Sequence, residues 1–258
     1  MFPPISPVCR DSLNGRRAPI ASAKELISKK LLLEENQSVL DIGCGWGGMA
    51  SHIYKKSNAS VVGVTLSEEQ IAYAQQRKVR EKLDKVEYRL QDYRNVNEKY
   101  DRIVSVGMFE HVGTAHYQEF FNKVYDLLND SGVALIHTIG RLNEPGNTDP
   151  WIDKYIFPGG YIPALSETVS RVEKSGLSMT DVQILKFHYA ETLKRWRYNF
   201  YDNIDKVKEI YDEKFCRMWD FYLSSSQASF EESTLVVFQL QLSKNKKTVP
   251  DKRDYMIT

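Results

Sequence analysis

The chain has 258 residues, 42% of them hydrophobic and 27% charged, and its 35 Lys+Arg against 34 Asp+Glu give a formal charge of +1. That length is enough for one large domain with a substantial core, and the even balance argues against nucleic acid as a partner. No apolar run approaches the roughly 20 residues that span a bilayer, and the first residues lack the apolar centre of a secretory signal. Three scattered cysteines (Cys9, Cys44 and Cys216) give neither a disulfide framework nor zinc spacing, so a reducing cytoplasm is the expected home.

Residues 1–20 carry four prolines and the Arg16-Arg17 pair without sustained periodicity, and read as an irregular segment ahead of one domain over 21–258. Apolar positions three to four apart predict a helix over 21–33. A buried strand follows at 38–42, then a glycine-rich turn and a helix to about Lys56. Residues 60–64 form the next strand, and Ser67 caps a long helix to Lys82 with Glu68, Glu69 and Gln70 in its first turn. Strands are expected at 86–90, 102–106 and 132–139, with a helix at 115–128 between the last two. Such alternation implies a parallel sheet covered on both faces and joined by right-handed crossovers. After residue 140 a Pro/Gly-rich stretch leads to helical segments at 166–175 and 190–226, and β-branched residues at 234–243 make a closing strand.

Asp41-Ile42-Gly43-Cys44-Gly45-Trp46-Gly47-Gly48 joins the first strand to the first helix of that alternation. Glycines there permit a tight turn and let backbone N–H groups approach a ligand at the carboxyl edge of the sheet. A bare G-x-G-x-G would also suit a nicotinamide dinucleotide, or a merely structural turn. Asp41 ahead of the glycines and the missing third glycine of the dinucleotide fingerprint favour S-adenosylmethionine. The second strand ends Val64-Thr65-Leu66-Ser67 without the acid that usually holds ribose hydroxyls, and Glu68 and Glu69 beyond it stand at a helix start. Asp92 and Tyr93 after the third strand are placed to meet an adenine amine and cover its ring, or belong to an ordinary surface loop.

Several ordered blocks then become specific. They are DIGCGWGG at 41–48, VGVTLSEEQ at 62–70, GMFEHVG at 107–113, IHTIG at 136–140, KYIFPGGYIP at 154–163, HYAETLKRW at 188–196 and MWDFYL at 218–223, followed by VFQLQLSK and VPDKRDY. Over roughly residues 30–255 the chain resembles the cyclopropane-fatty-acyl-phospholipid synthases and their mycolic-acid relatives. The resemblance implies a Rossmann-like class I methyltransferase fold: a seven-stranded, mostly parallel sheet with helices on both faces and a helical insertion over the substrate. It implies that Gly43 and Gly45 touch S-adenosylmethionine, and that Thr65, Leu66 and Gln70 do the work of the missing acid. It further implies that the alkene of an unsaturated phospholipid acyl chain attacks the sulfonium methyl group. The resulting cation then loses a proton to a bicarbonate ion held by Glu110, His137 and Tyr189 and closes to a cyclopropane. Such an enzyme is expected at the inner face of the cell membrane as a peripheral protein, with a homodimer as one assembly open to it.

Taken singly these residues have plainer readings: His137 as a core histidine, Glu110 beside His111 as a helix-cap pair, Tyr189 as packing. His52, His111 and His116 are expected to be structural or superficial. A dry apolar tunnel and a positioned base are what methylation of an uncharged alkene requires, since no proton need leave first. The family's Cys-Ala-Tyr segment is not matched around Cys9, a cysteine after the MW-x-x-YL pattern is replaced by Ser226, and an N-terminal domain of phospholipid-modifying members has no counterpart in the sequence. Two alternatives therefore stand beside ring closure: a methyl-branched product, and a non-catalytic relative that binds S-adenosylmethionine or lipid without turnover.

Overall fold

A computed structural model of the chain describes residues 19–256, so most of the segment expected to be irregular, with Cys9, lies outside the described residues. Seven strands form one sheet: β1 Ser38–Ile42, β2 Ser60–Thr65, β3 Val86–Leu90, β4 Tyr100–Val106, β5 Leu128–Arg141, β6 Ser178–Leu185 and β7 Leu235–Ser243. Their order is β3-β2-β1-β4-β5-β7-β6. The first five run parallel, and β7 enters antiparallel to both β5 and β6. This is the seven-stranded, mostly parallel sheet that the resemblance implied.

Nine helices accompany it among the described residues: α1 Pro19–Lys30, α2 Gly48–Ser57, α3 Glu68–Glu81, α4 Tyr117–Leu127, α5 Pro150–Tyr155, α6 Leu165–Ser175, α7 His188–Asp202, α8 Ile204–Ile210 and α9 Glu213–Glu232. The start of α3 is set as its sequence dictates, with the Ser67 hydroxyl accepting from the Gln70 N–H at 3.2 Å. The helical run expected over 190–226 is instead divided in three. Asn203 leaves helical geometry and ends α7, Tyr211 is extended, and the Asp212 carboxylate caps α9 by accepting from the Phe215 N–H at 2.7 Å. Apolar periodicity runs across both breaks, which is why it did not disclose them.

Strand β6 was not expected from its sequence. Its segment, SMTDVQIL, carries Asp181 where an apolar residue would signal burial. The charge is accommodated because Lys30 at the end of α1, itself wholly buried, pairs with Asp181 at 3.0 Å, and Arg253 meets the other carboxylate oxygen. The Lys30 carbonyl accepts from Gln241 on β7 at 2.6 Å. A buried charge is tolerable only with such partners, so the polar pattern follows from tertiary contacts that sequence periodicity does not encode.

The two faces of the sheet bury different sets. Ile27, Leu31, Met49, Ala50 and Ile53 from α1 and α2 cover Val39, Val61, Val104 and Leu135. On the other face Phe109, Tyr117, Phe120, Phe121 and Val124 cover Leu40, Ile42, Ile136 and Phe238. A third cluster, in which Leu193, Phe200, Leu223 and Phe230 meet Leu185 and Val237, ties the helical cap α7–α9 to the added strands. Each such side chain contributes on the order of 1.5–3 kcal/mol by leaving water.

Candidate active site

The chain turns from β1 to β2 on one side and crosses to β4 on the other, so the carboxyl ends of β1 and β4 bound the crevice where open α/β sheets take ligands. The glycine loop sits there. Gly43 and Gly45 have φ of +78° and +53°, conformations that L side chains rarely adopt. A Cβ on Gly43 would stand 2.7 Å from Met108 Cγ, whereas one on Gly45 would meet nothing within 4 Å. The first glycine is thus demanded by packing, while the second leaves open space over the loop. Gly47 precedes α2 in the left-handed region, and its carbonyl accepts from the Tyr88 hydroxyl at 3.0 Å.

Asp41 is buried at the end of β1. Burial pushes its carboxyl up to about 7, against the opposing pull of the Ala50 N–H and the Lys24 charge. Its Oδ2 has no hydrogen-bond partner among the described residues. Thr65, at the end of β2, is buried and donates to Gln70 Oε1 at 2.8 Å, so these two are already joined across the turn into α3. Leu66 between them is 70% exposed, an apolar side chain with no packing role that explains its place.

Asp92 and Tyr93 lie beyond β3 at the same edge. The Asp92 carboxylate is occupied by Arg94, whose Nη2 stands 2.6 Å away, and this pairing holds its pKa below the usual carboxylate range. Tyr93 packs edge-on against Phe120 with ring centres 5.5 Å apart. Of the two, Tyr93 is part of the wall of the fold, and Asp92 would have to share its charge with any ligand amine.

Glu110 follows β4 in a single 3-10 turn, Phe109–His111. Its Oε1 accepts from the Ile139 N–H at 2.7 Å, taking the ladder position that β4 leaves empty where β5 runs on beyond it. Its Oε2 is buried without a partner among the described residues, and burial raises its pKa. His137, two residues earlier on β5, bonds through its carbonyl to the Gly107 N–H at 2.9 Å and through Nδ1 to Gln239 Nε2 at 3.1 Å. Burial first, then the Lys30 charge, lowers its pKa to about 4, so the ring is neutral at pH 7. Tyr189, in the first turn of α7, packs at a tilt against Phe230 at 4.9 Å and meets Trp196 edge-on at 6.0 Å. Its phenol is pushed up chiefly by burial, then by Tyr222 and the Glu110 charge.

The Glu110 charge acts on the Tyr189 phenol, and Glu110 and His137 both bond across the end of the β4–β5 pairing, at the Ile139 and Gly107 N–H groups. All three retain accessible surface although their ionisation is strongly perturbed by burial, as expected of groups lining an internal recess. Met108, two residues before Glu110, lies against Gly43, so the Glu110 turn adjoins the glycine loop. Tyr222 and Gln239 face this site without having been singled out from the sequence. The MW-x-x-YL block pointed to Tyr222, and a glutamine in an otherwise apolar strand was the available sign for Gln239. The Ser226 hydroxyl lowers the Tyr222 pKa against the larger upward push of burial. His52 and His116 pair with Glu25 and Glu119 at 3.7 and 3.1 Å, and the His111 ring lies 6.2 Å from that of Phe157.

Comparison with known proteins agrees with the geometry. The family model for mycolic acid cyclopropane synthetase matches residues 18–240. The chain is 40% identical over 235 residues to the cyclopropane-fatty-acyl-phospholipid synthase of Escherichia coli strain K12, covering 91% of this chain and 60% of that relative. It thus spans about three-fifths of that protein's length. The cyclopropane synthase MmaA2 from Mycobacterium tuberculosis superposes with a TM-score of 0.80 at 31% identity, covering 87% of this chain and 84% of that one. Mycolic acid cyclopropane synthase CmaA1, solved in complex with SAH and CTAB, gives the same TM-score and identity, covering 86% and 83%.

Proposed function

The chain belongs to the mycolic acid cyclopropane synthetase family, and from that premise we propose that it transfers a methylene unit from S-adenosylmethionine to the cis double bond of an unsaturated phospholipid acyl chain. The observation that supports this reading is that Glu110 and His137 bond side by side at the end of the β4–β5 pairing while the Glu110 charge acts on Tyr189 of α7. The residues present fit the cofactor. The left-handed turn at Gly43 and Gly45 leaves space over the backbone, Asp41 Oδ2 is an acceptor in want of a donor, and Thr65 and Gln70 stand ready at the adjoining strand end. When bound, S-adenosylmethionine supplies the electrophilic methyl group.

The protein's own groups then have defined tasks. The Glu110 carboxylate, fixed at one oxygen by the Ile139 N–H, turns its other oxygen to a place where positive charge develops on the alkylated chain. Such a preorganised charge in a dry site is typically the largest catalytic contribution. The neutral His137 ring and the Tyr189 hydroxyl offer hydrogen bonds that would hold an anion, and a bicarbonate bound there would supply the base for ring closure. Aromatic rings of α7 and α9 exclude water that would otherwise quench a cation.

We place the reaction at a membrane surface. No helix among the described residues is long and apolar enough to cross a membrane. The helical cap exposes Phe221, which meets Trp151 edge-on at 4.8 Å, and Tyr201, over which Arg197 lies at 5.6 Å while also pairing with Asp220 at 2.6 Å. Aromatic and cationic groups together suit a lipid interface. Trp196 is turned inward against Tyr189 and takes no part.

The test is mass spectrometry of membrane lipids from cells producing the chain. Unsaturated acyl chains should gain one CH₂ and resist mild hydrogenation as a ring. A gain that retains a double bond would make the product a methylene or methyl branch, and no gain would leave only binding. Flotation with anionic liposomes should carry the protein to the lipid fraction, less so for Phe221→Ser.

A further inference from the structure

We infer that Gln239 is a positioning residue for His137: its side-chain amide donates to Nδ1 and fixes the imidazole as the Nε2–H tautomer, so that the ring presents a donor to the recess of Glu110 and Tyr189. The inference rests on the reading of that recess as the site of acyl-chain chemistry. Gln239 lies directly opposite His137 in the β5–β7 register, is wholly buried, and brings Nε2 to 3.1 Å from Nδ1. A neutral imidazole that accepts at Nδ1 must carry its proton on Nε2. The backbone beneath this amide is fixed, because β7 is paired on both sides, with Gln183 of β6 opposite the same residue, and His137 is the amide's one hydrogen-bond partner among the described residues, its Oε1 having none.

The reverse arrangement would turn Gln239 Oε1 to an Nδ1–H and leave the Nε2 lone pair directed at the recess. The recess as proposed also holds the Glu110 carboxylate, whose Oε2 is already an acceptor without a donor. Two acceptors there could not hold an anion, whereas an Nε2–H and a tyrosine hydroxyl can. The Lys30 ammonium, anchored by Asp181, stands on the same face of the sheet and opposes a second proton on the ring. Gln241, two residues on, shows the contrast: its amide is used up on the Lys30 carbonyl and Tyr255.

The experiment is nitrogen NMR of the full chain labelled with ¹⁵N-histidine, the His137 signals being assigned by their loss in His137→Asn. At pH 7 the wild-type ring should be neutral and protonated at Nε2. Gln239→Glu keeps the shape but offers an acceptor, and should convert the ring to Nδ1–H or imidazolium. Methylene transfer to phospholipid vesicles should fall by about 100-fold, the order expected when one oriented donor is lost, with affinity for S-adenosylmethionine unchanged. Gln239→Met, which keeps length and removes the amide, should let both tautomers appear and cost about 10-fold or less. A wild-type ring found as Nδ1–H or imidazolium, or an Nε2–H tautomer that survives Gln239→Glu, overturns the inference. Should Gln239→Glu not fold, the wild-type and Gln239→Met spectra decide alone. The tautomer is read without lipid, so a wild-type protein with the expected ring and no methylene transfer would instead sink the proposed activity.

Discussion

Glu110 holds one carboxylate oxygen against a strand-edge amide and keeps the other free, so its geometry survives removal of its charge. Glu110→Gln is expected to lower single-turnover methylene transfer by about 30- to 1,000-fold, or 2–4 kcal/mol. Cofactor affinity, measured by calorimetry, should hardly change. Tyr189→Phe removes one hydroxyl and should cost less. Equal losses of affinity and rate would mean that Glu110 serves the cofactor and not the transferred group. Asp41 gives a prediction in pH. Its folded pKa of about 7 lies above the ordinary 3.8, so the unfolded chain releases its proton first as pH rises. Stability should therefore fall between about pH 4 and pH 7, by at most about 4 kcal/mol from this group. Asp41→Asn should raise the cofactor-free melting temperature at pH 8 and not at pH 4, while weakening S-adenosylmethionine binding. An equal rise at both pH values would show that packing, not ionisation, is responsible.

The β1–α2 loop separates two roles of glycine that its sequence presents as one. Gly43→Ala must push Met108 aside and should destabilise the cofactor-free protein. Gly45→Ala has open space for its methyl group and pays only for its left-handed backbone, about 1 kcal/mol. It should melt near wild type and bind S-adenosylmethionine poorly; unchanged affinity would remove Gly45 from the cofactor site. The strap at the other end works differently. Lys30, Asp181 and Arg253 join α1, β6 and the segment after β7. Lys30→Met strands Asp181 beside Arg253 alone, and should cost about 3–5 kcal/mol in a denaturant titration. These elements also mark what could be read beforehand. Ser67 and the strands at 38–42, 60–64 and 86–90 were legible because caps and continuous apolar runs are local signals. The strand at Asp181 was not, since its burial depends on a lysine some 150 positions away, and neither were the breaks at Asn203 and Tyr211, where apolar spacing continues through a change of direction.

At the scale of the molecule, the proposed cofactor crevice and the proposed acyl-chain recess belong to different parts of one sheet. The parallel strands carry the glycine loop, and β5 with the antiparallel pair carries His137 and its support. Alternating strands and helices disclosed the first part; the second is proposed on block resemblance alone, because Glu110, His137 and Tyr189 lie far apart in sequence and each has an innocent local explanation. Bound S-adenosylmethionine should stabilise the whole: at a hundredfold excess over Kd the gain is about 2.7 kcal/mol, roughly 5–10 °C in melting temperature for a chain of this size. A thermal shift that appears in wild type and persists in Gly45→Val would place the cofactor elsewhere. The position of β7 has one more consequence. It is made after β6 yet lies between β5 and β6, so during synthesis a gap must stay open in the sheet until β7 emerges from the ribosome. Domains begin to fold from the N-terminus as they are made, and the half that holds the glycine loop can close early. Gln239 arrives only with β7, so a nascent chain can gain a cofactor crevice well before it gains a partner for His137. Competence for chemistry is thereby deferred until β7 has been made.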